Sequence, residues 1–94
     1  MAKAYVVAVY NKIIDQEKLK NYIQDSRPVM GAHGAKALAI GSNISKLEGI
    51  PPERAVIMEF ESVEVAQKAF QSNQANEEKL EGGVVRVMFV LEGV

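Results

Sequence analysis

The chain contains no cysteine. Disulfides, thiolate nucleophiles and zinc–thiolate centres are therefore excluded as sources of stability or chemistry. It has one histidine, His33, too few for a histidine-rich metal or heme site built from a single copy. No set of carboxylates clusters at ligand spacing, so no metal and no cofactor are expected. Basic residues form no stripe: 11 Lys and Arg are scattered among 12 Asp and Glu, for a formal net charge of −1. Nucleic acid is not an expected partner. No apolar run approaches the roughly 20 residues that span a bilayer, so no membrane partner is expected either. Met1, Ala2 and Lys3 lead straight into a strand-like run without a signal-peptide pattern, and the expected location is cytoplasmic. Gly82 and Gly83 lack the surroundings of a phosphate loop. Ser42 and Ser45 lack those of a nucleophile elbow.

What remains is an ordinary globular composition over 94 residues, 48% hydrophobic and 24% charged, which fits one domain spanning 1–94. Four segments read as strands by their β-branched and aromatic content. They are Ala4–Tyr10, closed by Asn11 and Lys12; Lys36–Ile40, less apolar and suited to an edge; Arg54–Glu61; and Val84–Leu91. Two helices separate them. Asp15 is the candidate N-cap of the first, with Glu17 in its first turn. Leu19, Tyr22, Ile23, Ser26 and Met30 supply its inner face. Pro28 predicts a kink or break, and Gly34 a terminator. Ser62 caps the second helix, whose apolar side is Val63, Ala66, Ala69 and Phe70. Ser72 and Asn73 loosen or end it, and Asn76 to Leu80 add a short turn.

The order strand–helix–strand–strand–helix–strand predicts an α+β split β-α-β fold. Right-handed crossovers place both helices on one face of an antiparallel sheet ordered four, one, three, two. The first and last strands are apolar on both faces. Val85, Val87, Phe89 and Leu91 share one face of the last strand; Val84, Met88 and Val90 share the other, with Arg86 its only charge. The face without helices would expose a large apolar patch, which monomers rarely tolerate. A homodimer packed sheet to sheet, closing a barrel-like core, is the expected assembly.

Residues spread along the whole chain resemble the domain-of-unknown-function family thirteen-thirty, within the dimeric α/β-barrel superfamily. They are Tyr5, Asp15, Tyr22, Pro28 and Gly34, then Leu47-Glu48-Gly49 and Arg54, then the run from Ile57 to Ser62 and the closing Leu91-Glu92-Gly93. The resemblance implies a ferredoxin-like βαββαβ domain that forms a dimeric α/β barrel. Several family positions are altered. His33 stands where members often have a tyrosine, Ile40-Gly41-Ser42 where they often have Arg-Gly-Gly, Ser72-Asn73-Gln74-Ala75 in place of a Ser-Pro-Glu-Tyr pattern, and Glu81 where an arginine is often found. If those positions form a ligand site, it is changed in this chain. Superfamily relatives include monooxygenases, heme-degrading enzymes, dismutation enzymes and plain binding domains, so the fold does not specify a reaction.

Six residues are candidates for a pocket between helices and sheet. His33 is of the type that titrates near neutrality and could act as an acid or base, or could simply serve a helix C-terminus. Glu59 and Arg86 lie in apolar strands, where unpaired charge is costly. They line a polar pocket, form a structural ion pair, or reach solvent. Tyr22 and Ser26 could hydrogen-bond a ligand from the first helix, although tyrosines there are commonly core. Arg54 could hold an anion or end its strand in solvent. Three functions follow: a domain binding a small molecule in that pocket, a cofactor-independent enzyme of monooxygenase or isomerase type, or a purely structural or protein-interaction dimer module.

Overall fold

The computed structural model describes residues 2–94. Strand β1 (Ala4–Ile13) is followed by helix α1 (Gln16–Ala32), β2 (Lys36–Gly41), β3 (Arg54–Phe60), α2 (Val63–Ser72), α3 (Gln74–Leu80) and β4 (Val84–Glu92). The sheet is antiparallel with order β2-β3-β1-β4, as the crossover argument requires. Both expected N-caps form. Asp15 Oδ1 accepts from Lys18 N at 3.1 Å and Ser62 Oγ from Val65 N at 3.1 Å, each satisfying one open donor of a first turn. Gly34 closes α1 with φ +77°, and Ala35 N donates back to Met30 O at 3.1 Å while Gly34 N donates to Gly31 O at 3.0 Å. This is a Schellman closure, which needs a residue at ease in the left-handed region.

Three expectations are corrected. Pro28 does not break α1, which runs on to Ala32. Pro28 and Gln24, the residue whose carbonyl loses its donor, both lie on the exposed side, where water can replace the missing bond. Asn11 and Lys12 do not end β1. A bulge between Tyr10 and Lys12 absorbs them, and pairing resumes with Lys12 opposite Val85. The short turn after α2 is a full helix, α3, starting at Gln74.

Strand parity distributes the core. Ala4, Val6, Ala8 and Tyr10 of β1 and Val56 and Phe60 of β3 point beneath the helices and are buried. One core cluster joins Ala8, Tyr10 and Val56 to Leu19 and Tyr22 of α1 and Leu80 of α3. The other joins Val6 and Phe60 to Met30 of α1 and Ala66 and Ala69 of α2. Phe60 and Leu80, each 1% exposed, contribute on the order of 2–3 kcal/mol apiece by burial. The opposite face carries Val85, Val87, Phe89 and Leu91 of β4, all exposed, beside Tyr5, Val7 and Val9 of β1 and Ile57 of β3.

Candidate functional site

α1 stands off from the sheet, whereas α2 packs closely on β1, β3 and β4. The side chains facing inward explain the difference. α2 presents Ala66 and Ala69; α1 presents Leu19, Tyr22 and Met30. Helix–sheet separation follows the size of the residues between them, as it does for helix pairs. Under α1 this leaves a cleft of about 240 Å³. Its floor is Ala8, Val56, Met58 and Met88 on the sheet, its roof Ile23, Met30 and Gly31 on α1, and Ala37 and Ile40 of β2 lie at its edge.

One end of the cleft is polar. Arg54, Tyr10 and Arg86 are direct register partners on three adjacent strands, and all three point to the helix side. The Arg54 guanidinium lies 5.8 Å and that of Arg86 5.5 Å from the Tyr10 ring centroid. Each cation–π contact contributes on the order of 0.5–2 kcal/mol, according to its desolvation. Arg86 also lies 5.3 Å from the Tyr22 ring centroid.

Arg86 is the hub of a buried network. Its Nη2 donates to Glu77 Oε1 at 2.7 Å, and its Nη1 to the hydroxyls of Tyr22 at 3.2 Å and Tyr10 at 3.3 Å. Glu77 Oε2 accepts from the Tyr22 hydroxyl at 2.6 Å and from Asn73 Nδ2 at 2.5 Å. Asn73, fully buried, also donates to Ser26 Oγ at 3.0 Å and accepts from Asn76 Nδ2 at 2.8 Å. Burial, followed by the hydrogen bond and charge of Glu77, pushes the Tyr22 hydroxyl pKa far above its ordinary value. Burial lowers the Arg86 pKa, but its hydrogen bonds to Glu77, Tyr22 and Tyr10 outweigh that and the net shift is upward. Tyr22 stays neutral and Arg86 stays charged at any physiological pH.

Four of the six sequence candidates line this cleft: Tyr22, Ser26, Arg54 and Arg86. The other two lie elsewhere. His33 is the C-cap residue of α1, and its Nδ1 lies 2.9 Å from the carbonyl oxygen of Val29, so that nitrogen carries the proton and donates it. Glu59 points to the outer sheet face, one residue out of parity with Met58, and pairs with Lys3 at 3.7 Å. Glu59 and Arg86 therefore do not meet, and the partner of Arg86 is Glu77. Tyr10 and Glu77 are not among the sequence candidates, and Asn73 figures there only as a helix end and an altered family position. Asn73 caps α3, and Asn73, Glu77 and Leu80 follow helical spacing, so once Leu80 packs into the core the same side buries a carboxylate and an amide.

The family model described as "Domain of unknown function (DUF1330)" matches residues 3–94. No curated protein matches the chain. Among solved structures, a protein of unknown function from Rhodopseudomonas palustris superposes with a TM-score of 0.82 at 16% identity, covering 99% of this chain and 83% of that one. A putative antibiotic biosynthesis monooxygenase from Caulobacter crescentus gives 0.68 at 15% identity, covering 99% and 91%. A dimeric ferredoxin-like protein of unknown function from Thermobifida fusca gives 0.64 at 14% identity, covering 97% and 91%. At these identities the likeness is one of fold, and that fold is ferredoxin-like.

Proposed function

The chain belongs to the DUF1330 family of uncharacterised domains, and on that premise we propose that it binds a small molecule in the cleft between α1 and the sheet. The observation carrying this reading is the shape and lining of the cleft. It has apolar walls that include three methionines, and a few polar groups converge at one end. That is the usual make-up of a ligand site. Unbranched, polarizable methionine side chains also adapt to more than one occupant.

Cofactor-independent oxygenation is the second reading, suggested by the fold shared with the Caulobacter protein named as a putative monooxygenase. The polar end favours binding over proton transfer. Tyr22 holds its proton far above neutrality, Arg86 holds its charge, and both Glu77 oxygens are already engaged. Such groups orient a ligand without exchanging protons with it.

The working unit in this reading is a homodimer packed through the outer sheet face, where Val85, Val87, Phe89 and Leu91 are each about half exposed. The Thermobifida neighbour is described as dimeric. Light scattering should give twice the 10.3 kDa chain mass, and Val87→Glu, which places a charge in the buried seam, should give the single-chain mass. A wild-type monomer at micromolar concentration overturns the assembly.

Binding is tested by ¹³C-methyl NMR of the methionines. Met30, Met58 and Met88 line the cleft. A fragment library should yield binders that shift the three cleft methyls. Ala37→Phe, which fills the cleft from an exposed position on the edge strand, should abolish those shifts. Binders that perturb only the outer sheet face defeat the reading.

A further inference from the structure

We propose that the ligand is a small organic carboxylate with an apolar body, and that Arg54 is the residue that takes its charge. This rests on the binding reading above. Three arginines line the cleft, Arg27, Arg54 and Arg86, and no aspartate or glutamate does. Arg86 is already neutralised by Glu77 at 2.7 Å. Arg27 lies on the exposed side of α1. Arg54 differs from both. It is half buried, no carboxylate lies within ion-pair distance of it among the described residues, and its Nε is buried without a hydrogen-bond partner.

An arginine held in this way is unfavourable unless something completes it, because a buried guanidinium N–H without an acceptor loses its hydration and gains nothing in return. Strand pairing places Arg54 beside Tyr10, its guanidinium lies 5.8 Å from that ring centroid, and it lines the cleft. A carboxylate is the complementary group, since its two oxygens match the planar fork of a guanidinium. The Tyr10 hydroxyl adds a donor on the same side. It accepts from Arg86 at 3.3 Å and keeps its own proton to give.

The cleft's volume of about 240 Å³ suits a small organic molecule. The walls beyond Arg54 are Met30, Met58, Met88 and Phe70, so its body is apolar.

The test uses matched probes: hexanoate against hexanamide, and phenylacetate against phenylacetamide. Binding is followed by the methionine methyl resonances and by calorimetry. In the wild type each carboxylate should bind at least about tenfold more tightly than its amide, the difference expected when one charge-assisted hydrogen bond replaces a neutral one. Arg54→Met should bring the carboxylates to the level of the amides while leaving amide binding intact. Arg54→Lys, which keeps the charge but loses the fork, should retain part of the preference. Unchanged amide binding shows that the cleft of each variant is folded. Equal affinity of carboxylate and amide in the wild type overturns the carboxylate inference and leaves the binding cleft standing. A preference that survives Arg54→Met overturns the role of Arg54, and with it the proposal. If neither probe pair moves the cleft methyls at millimolar concentration, the binding reading falls and the inference falls with it.

Discussion

Replacing Glu77 by glutamine changes one oxygen to an amide nitrogen and leaves the shape almost unaltered. The structure nevertheless makes it a severe substitution. Glu77 Oε1 is the only carboxylate partner of Arg86 among the described residues, and the two side chains are 18% and 14% exposed. The same carboxylate accepts from Tyr22 at 2.6 Å and from Asn73 at 2.5 Å. Glutamine offers a single acceptor oxygen and two donor hydrogens, so it cannot serve three donors. Arg86 would keep its charge in a largely desolvated place without a counter-ion. Breaking a fully buried pair costs about 3–5 kcal/mol, and the residual exposure here argues for the lower end, about 3 kcal/mol. A chain of this length has roughly 5–14 kcal/mol in total, so the loss is a sizeable share.

Urea unfolding at one fixed protein concentration measures it, with a double-mutant cycle to assign the cause. With a slope of about 1–3 kcal/mol per molar, the Glu77→Gln midpoint should fall by about 1–3 M. Arg86→Met should cost less, because Glu77 keeps the Tyr22 and Asn73 donors. The double variant should be more stable than the sum of the two losses implies, since no unpaired charge remains in it. A Glu77→Gln loss below about 1 kcal/mol would place the pair with solvated surface salt bridges and refute the claim that it organises the site.

Tyr22 supplies a pH signature. Its folded-state pKa is raised above the ordinary value of 10.0, so its contribution is complete below that value and is lost as pH climbs through the folded-state pKa. Wild-type stability should therefore fall more steeply above pH 10 than that of Tyr22→Phe, as measured by urea unfolding across the alkaline range. Gly34→Ala places a side chain at φ +77° in the turn that closes α1. It should cost about 1–2 kcal/mol of unfolding free energy with no change in the mass read by light scattering.

The fold was legible because each element carries a local signal that its tertiary surroundings reinforce. Asp15 and Ser62 cap helices whose inner faces repeat at helical spacing, and alternation in β3 separates Val56 and Phe60 from Ile57 and Glu59. The misjudged points share a cause: local chemistry was overridden by position. Pro28 sits where the helix faces water. Asn11 and Lys12 fall at a bulge that lets the ladder continue. The candidate site was half legible. Tyr22, Ser26, Arg54 and Arg86 were visible as polar groups among apolar neighbours. Glu59 looked similar, but its parity sends it to the opposite face, where Lys3 receives it. Glu77 and Asn73 were hidden because α3 is short and polar, and only the tertiary approach of Leu80 to the core reveals which of its sides is buried.

The cleft itself has a sequence origin. Two helices cover one sheet face, but they do so at different distances. Ala66 and Ala69, 1% and 0% exposed, let α2 settle onto β1, β3 and β4. Tyr22 and Met30 hold α1 away, and beneath them the sheet is small at Ala8 and Ala37 while Val56, Met58 and Met88 complete the floor. Small residues facing each other would have let the helix descend. Bulky helix residues above Ala8 and Ala37 leave a space there. The arginine row then gives that space a polar end, because Arg54, Tyr10 and Arg86 occupy successive strands at one level of the sheet. Of the two arginines, α3 neutralises one and leaves the other uncompensated. Among the described residues Arg86 has a carboxylate partner and Arg54 has none, and the proposed carboxylate site rests on that asymmetry.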